Sequence, residues 1–166
     1  MTEASVLDFL HQYGLLFVFI IVFMEYLNLP GFPSGVIMPA CGVWITITHN
    51  SFITCFIVTI IAGVMGSLIL YFIGLYGGDP IINKLCNRYP KFKSNMDKLI
   101  IKLHNGANYT VFISKLVPVV RTLVGFPAGA IKMNLFNYIL FSSFGIAIWN
   151  GVLILTGMLA SGLFIK

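Results

Sequence analysis

Residues 134–165 contain no charged side chain and no proline, and residues 51–78 share that property. A helix needs roughly 20 apolar residues to cross about 30 Å of hydrocarbon, so both runs can span a bilayer with length left for tilt. A water-soluble fold has no good place for two such runs. Composition agrees: the 166 residues are 58% hydrophobic and only 9% charged, with a mean hydropathy of +0.96. That is too little charge to cover a soluble surface, so an all-α integral membrane protein is expected. The opening residues, "MTEASVLDFLHQYG", are acidic and lack the basic start of a cleavable signal, so none is expected.

The formal net charge of +5 is concentrated between the two runs. Residues 79–106 carry Lys84, Arg88, Lys91, Lys93, Lys98 and Lys102 against Asp79 and Asp97. Short basic loops stay in the cytoplasm, which predicts 79–106 inside and both termini outside. Attraction to anionic headgroups, about 1 kcal/mol per cation, accounts for this basic balance, so no nucleic acid partner is expected. Asp79 before Pro80 reads as a helix cap with a first-turn proline, and Pro90 as the end of that piece. Ser94 reads as the start of a second piece in which Met96, Leu99, Ile100 and Leu103 share a face, with Gly106 as its stop. The loop is therefore expected to form interfacial amphipathic helices.

The other apolar stretches are interrupted. Residues 14–31 would barely span, and they run into "EYLNLPGFPSGVIMPACG", where three prolines and three glycines oppose a continuous helix. Broken backbone at membrane depth survives only where protein or a water-filled cavity surrounds it. Residues 10–48 are thus read as a re-entrant helical hairpin with its tip at Pro30 and Pro33. Residues 107–131 repeat the pattern, with Pro118, Pro127 and Gly129 at the tip. "MPACG" at 38–42 echoes "FPAGA" at 126–130, and each hairpin precedes one long span, 51–78 or 134–165. A re-entrant hairpin returns to its own side while a span changes sides, so the second unit is expected to be inverted. Many transporters build a midplane substrate site from broken helices in this way.

Three charges fall inside these hairpins: Glu25 in the first, Lys115 and Arg121 in the second. Each costs about 3 kcal/mol on insertion scales, which makes an intramembrane charge a functional expectation. The plainer alternative is a structural ion pair between Glu25 and Arg121. Gly63, Ser67, Gly74 and Gly78 share one face of the first span and read as a helix-packing surface. Trp149 reads as packing, and His11, His49 and His104, at element ends, as interfacial residues. Cys41, Cys55 and Cys86 have unrelated spacings and read as small apolar residues. No catalytic pattern or metal-ligand cluster is legible, so no enzyme, metal or cofactor is expected.

Taken together, "EYLNLPGFP", "GSLILYFIGLYGG", "KLVPVVR" followed by "PAG", and "GIAIWNG" resemble the DedA family, the bacterial branch of the VTT-domain membrane proteins, over residues 10–160. The resemblance implies a multi-pass protein of the bacterial cytoplasmic membrane. It further implies a lipid flippase or scramblase that moves undecaprenyl phosphate or a phospholipid, with proton dependence often inferred. Glu25 matches the family's acidic position, Pro30 and Pro33 its hairpin tip, and Lys115 and Arg121 its basic positions. Lys115 stands where arginine is usual, Ser34 and Gly35 where a second acid is expected, and Ser67 where an aspartate is often found. The expected function is movement of a phosphate-bearing headgroup, of phosphatidylethanolamine or of undecaprenyl phosphate. Lys115 and Arg121 would hold the phosphate, and Glu25 would carry a proton, meet an ammonium or pair with Arg121. Membrane lipids are the expected partners, protons are a further one, and a homo-oligomer is left open. The alternatives are a proton-coupled small-ion antiporter and, less favoured, a membrane scaffold acting through the basic loop.

Overall fold

A computed structural model of the chain describes residues 3–27, 34–88, 90–118 and 120–164. Among them the elements are helices: α1 (Glu3–Tyr26), α2 (Ser34–Thr48), α3 (Phe52–Arg88), α4 (Pro90–Lys115), α5 (Val120–Leu123), α6 (Gly125–Ala130) and α7 (Leu135–Phe164). They divide into two units, one of residues 1–63 and 147–166, the other of Val64–Ile146. Each long helix, α3 and α7, therefore contributes residues to both units.

Among the described residues, two stretches are long and apolar enough to cross a membrane, Phe52–Gly77 in α3 and Leu135–Gly162 in α7. Both carry large apolar residues on their exposed faces. On α7 the exposed residues include Phe136, Leu140, Phe144, Ile148, Val152, Leu155 and Leu159, a stripe at helical spacing. The opposite face buries Tyr138, Ser142, Asn150 and Ser161. On α3, Ile53, Ile57, Ile61, Met65 and Ile69 face outward while Thr59, Ala62 and Ser67 are buried. Ile146, Ile154 and Tyr71 are buried with them, so the inward faces mix polar and apolar residues, while the outward faces are aliphatic, as suits helices whose solvent is lipid. The apolar parts of α1 and α2, Tyr13–Tyr26 and Gly35–Thr48, are shorter. At 1.5 Å per residue each reaches about 21 Å, short of a hydrocarbon core.

Several sequence boundaries move. The first helix starts at Glu3 rather than near residue 10, and α3 runs past 78, through Asp79 and Pro80, to Arg88. Asp79 therefore caps no new helix: a proline inside a formed helix removes one hydrogen bond, here the one that would reach Tyr76, and α3 continues. Pro90 opens α4 instead of closing the piece before it, in keeping with the absence of a hydrogen-bond partner for a first-turn N–H. No separate helix starts at Ser94. At Gly106 the helical backbone is interrupted, with φ 179° and ψ 70°, and helix resumes on the far side. Leu103, expected at a lipid interface, is buried in a core cluster with Tyr71, Val111, Val124, Ala128, Met133 and Tyr138, and Leu99 packs against that cluster. Pro39 sits inside α2, where it forgoes only an early bond toward Gly35. Pro127 and Gly129 lie inside α6, beyond the turn that holds Pro118. Pro30 and Pro33 lie outside the described residues, as do the side chains of His11, Cys86 and Met96. Gly78 falls within α3, its surroundings undescribed.

Candidate functional site

The second unit concentrates the cations. Lys115 is the last residue of α4. The N–H groups of Leu116 and Val117 donate to the carbonyls of Ile113 and Ser114, at 3.0 and 3.2 Å, so the helix tightens into a 3₁₀-like turn before Pro118 ends it. The Arg121 N–H donates to the Val117 carbonyl at 3.0 Å and opens α5. One break thus sets Lys115 and Arg121 on its two sides. Their exposures are 0% and 1%, and Ser114 and Thr122 beside them are buried too. Burying a cation in apolar surroundings is unfavourable unless a charge or dipole meets it.

Glycine contacts hold this broken segment in place. A Cβ on Gly74 of α3 would run into the Phe126 carbonyl, and one on Gly129 of α6 into the Tyr71 carbonyl. The two helices therefore meet backbone to backbone, which only glycine permits. After α6 the chain closes in a Schellman arrangement: Lys132 takes φ 55°, its N–H donates to Gly129 at 2.9 Å, and the Met133 N–H donates to Ala128 at 3.0 Å. The side chain of Asn134 then accepts from the Asn137 N–H at 3.2 Å and starts α7.

Near Lys115 lies a pair of stacked rings. Tyr71 and Tyr138 have centroids 4.8 Å apart and planes at 28°. The Tyr138 hydroxyl donates to the Ser67 carbonyl at 3.2 Å, and the Tyr71 hydroxyl donates to the Met133 carbonyl. The Lys115 Nζ stands 5.7 Å from the Tyr138 ring centroid. Neither tyrosine is marked out by its local sequence. The available signal was a phenol on an otherwise apolar span, where a buried hydroxyl must find an acceptor.

The first unit holds the acid. Glu25, in the last turn of α1, is 4% exposed. Next to it in sequence, Tyr26 is fully buried and donates to Asn150 Oδ1 at 3.3 Å, while Asn150 Nδ2 donates to the Thr59 carbonyl at 3.4 Å. Here too a glycine pair joins helices: a Cβ on Gly42 of α2 would strike the Ile154 carbonyl, and one on Gly157 of α7 the Pro39 carbonyl. Between α1 and α2 runs a groove of about 290 Å³ lined by Phe17, Val18, Ile21, Val36, Ala40 and Trp44, among others.

Of the remaining singled-out residues, Gly63 and Ser67 are buried, and the Ser67 hydroxyl donates to the Val64 carbonyl at 3.0 Å within its own helix. Trp149 is half-buried, and His49 and His104 are exposed. Cys41 and Cys55 are buried free thiols. No group of three or more His, Cys, Asp or Glu side chains gathers among the described residues.

Comparison with known proteins places these features in a family. The VTT domain model matches residues 29–159. A Staphylococcus aureus protein named undecaprenyl phosphate transporter A is 31% identical, over 98% of this chain and 81% of its own. A Lactococcus lactis protein named alkaline phosphatase-like protein is 28% identical, over 93% of this chain and 74% of its own. A Bacillus subtilis protein, also named undecaprenyl phosphate transporter A, is 27% identical over 76% of this chain and 64% of its own. No solved structure matches.

Proposed function

This chain belongs to the VTT-domain, or DedA, family of membrane proteins, and from that premise we propose that it is a flippase for a phosphate-bearing lipid, a polyprenyl phosphate foremost. The observation that carries this reading is the pair of buried cations, Lys115 and Arg121, on the two sides of the Pro118 break. Arginine offers parallel donors to phosphate oxygens, and lysine adds a compact point charge. Glu25 carries a proton or meets a ligand ammonium in this scheme. The names of the Staphylococcus and Bacillus relatives favour undecaprenyl phosphate over phosphatidylethanolamine as the first substrate to test. The apolar groove between α1 and α2 suits a ligand with a hydrocarbon chain. The protein carries its ligand and makes or breaks no bond in it.

Residues 10–48 and 107–131 are re-entrant hairpins in this reading, and each with its following span forms one half of an inverted repeat. The short apolar arms of the first hairpin support this, as does the use in each unit of a glycine pair to seat a hairpin arm on a long helix. A cysteine placed at residue 5 should label from outside; labelling from the cytoplasm alone would replace the first hairpin with an ordinary span. For transport, purified protein goes into liposomes containing undecaprenyl phosphate, with headgroup exposure and internal pH followed together. Accelerated headgroup exchange is expected. Proton flux without lipid movement would transfer the assignment to a proton-coupled small-ion antiporter.

A further inference from the structure

An ammonium on a flexible four-carbon stem has no fixed place unless its surroundings supply one. Two residues of α7 supply it for Lys115. A Cβ on Gly145 would stand 2.5 Å from the Lys115 Cβ and 3.0 Å from the Phe112 carbonyl, so glycine is what lets the lysine stem lie against α7. Seven residues earlier, and so on the same helix face, Tyr138 lies with its ring centroid 5.7 Å from the Lys115 Nζ, within reach of a cation–π contact. That ring is fixed at its hydroxyl by the Ser67 carbonyl and across its face by Tyr71. Tyr71 is in turn tied to Met133. A side chain at Gly125 would approach the Tyr138 hydroxyl to 2.7 Å, so the start of α6 abuts the same phenol.

We propose that Tyr138 is the positioning residue for Lys115, its ring holding the ammonium in place for an anionic headgroup while Gly145 seats the stem. The proposal rests on the reading of Lys115 as a phosphate ligand and adds to it the element that fixes the charge. Lysine, a mobile point charge, needs such a seat more than a planar guanidinium would.

A double-mutant cycle separates positioning from simple packing. Binding of a short-chain polyprenyl phosphate to detergent-purified protein is measured for the parent chain, Tyr138→Leu, Lys115→Met and the double variant. Tyr138→Leu should weaken binding about tenfold, whereas Tyr138→Phe, which keeps the ring stacked on Tyr71 but loses its tie to Ser67, should lose clearly less. In the Lys115→Met background, Tyr138→Leu should weaken binding no further. Equal losses in both backgrounds would reduce Tyr138 to a packing residue and overturn the proposal. So would a phenylalanine variant as weak as the leucine one. If the parent chain binds no polyprenyl phosphate, the phosphate reading of Lys115 fails separately. The melting temperatures of the same four proteins then decide: coupled shifts keep Tyr138 as the seat of Lys115, and additive shifts remove it.

Discussion

In the unit built on α1 and α2, Gly42 and Gly157 bring α2 and α7 together backbone to backbone; in the unit built on α4 to α6, Gly74 and Gly129 do the same for α3 and α6. In both, the arm that follows the interruption ends on a non-glycine residue with positive φ, His49 after α2 and Lys132 after α6. The polar contents differ. Among the described residues, the first unit buries the Glu25 carboxylate and a chain of long hydrogen bonds from Tyr26 through Asn150 to Thr59. The second, among its described residues, buries Lys115, Arg121 and a stacked tyrosine pair. A device that recurs while the chemistry around it changes reads as scaffold, and under the proposed function the part that does not recur is where a ligand would be told from its competitors. Substitutions in the shared device should therefore act on stability, and substitutions in the unshared part on transport.

Arg121 is the sharpest test of that division. Arg121→Lys keeps the charge but loses the paired donors, so it should fold normally and transport poorly. Arg121→Gln should cut lipid transport about a hundredfold, the loss expected when two hydrogen bonds to a charged group disappear. Glu25→Gln with Arg121→Gln should be stable in detergent yet inactive, because it removes one buried acid and one buried base together and leaves the net buried charge unchanged. Transport and thermal stability are read on the same preparations. An active double variant would make Arg121 a brace and erase the distinction between the units.

The shared device predicts matched losses. Gly129→Ala and Gly157→Ala each drive a methyl into a backbone carbonyl, and each should lower stability by roughly 1–3 kcal/mol, seen as a lower melting temperature in detergent. The residual folded protein should keep its affinity for lipid. A large loss at one site and none at the other would mean that the two glycine pairs are not the same device.

The long spans are legible because nothing competes with an uncharged apolar run of that length, and Glu25, Lys115 and Arg121 stand out because the stretches around them are apolar. Boundaries are not. Pro80, Pro90 and Ser94 carry strong local signals, yet α3 runs on to Arg88 and α4 opens at Pro90, since one lost hydrogen bond is too little to end an established helix. Leu99 and Leu103 showed a helical face but not what it meets; a core of Tyr71, Val111 and Met133 looks to a single sequence like a lipid interface. The tyrosine pair depends on residues 71 and 138 meeting through the fold, and no local pattern announces that. From the sequence Gly74 reads as a packing position, while its counterpart Gly129 reads as part of a tip. Both lie where helices touch.

A smaller effect tests the polar chain of the first unit. Asn150 accepts from Tyr26 and donates to Thr59 over 3.3 and 3.4 Å, both near the long end for such bonds. Side-chain hydrogen bonds inside membranes average about 0.6 kcal/mol, so Asn150→Leu should lower stability by about 1 kcal/mol in a denaturation series. A loss several times larger would give this chain a weight comparable to the buried cations and blur the contrast between the units.

The least of these effects should be a gain. Lys132 occupies the left-handed position of a Schellman motif, a place glycine fills without strain, and its side chain is exposed, so nothing packed is lost by removing it. Left-handed backbone costs an ordinary residue about 1–2 kcal/mol, while glycine gives back about 0.5–1 kcal/mol through the greater freedom of its unfolded chain. Lys132→Gly should therefore stabilise by about 0.5 kcal/mol. His49→Gly should gain less, because histidine tolerates this region better than lysine does, and because Thr48 and Asn50 already brace that turn through a 2.8 Å hydrogen bond. Lys132→Ala supplies the control: it deletes the same charge but keeps the strained Cβ, and it should gain nothing. If alanine stabilised as much as glycine, the benefit would come from the lost charge. The positive φ after α6 would then lose its role in the comparison with α2.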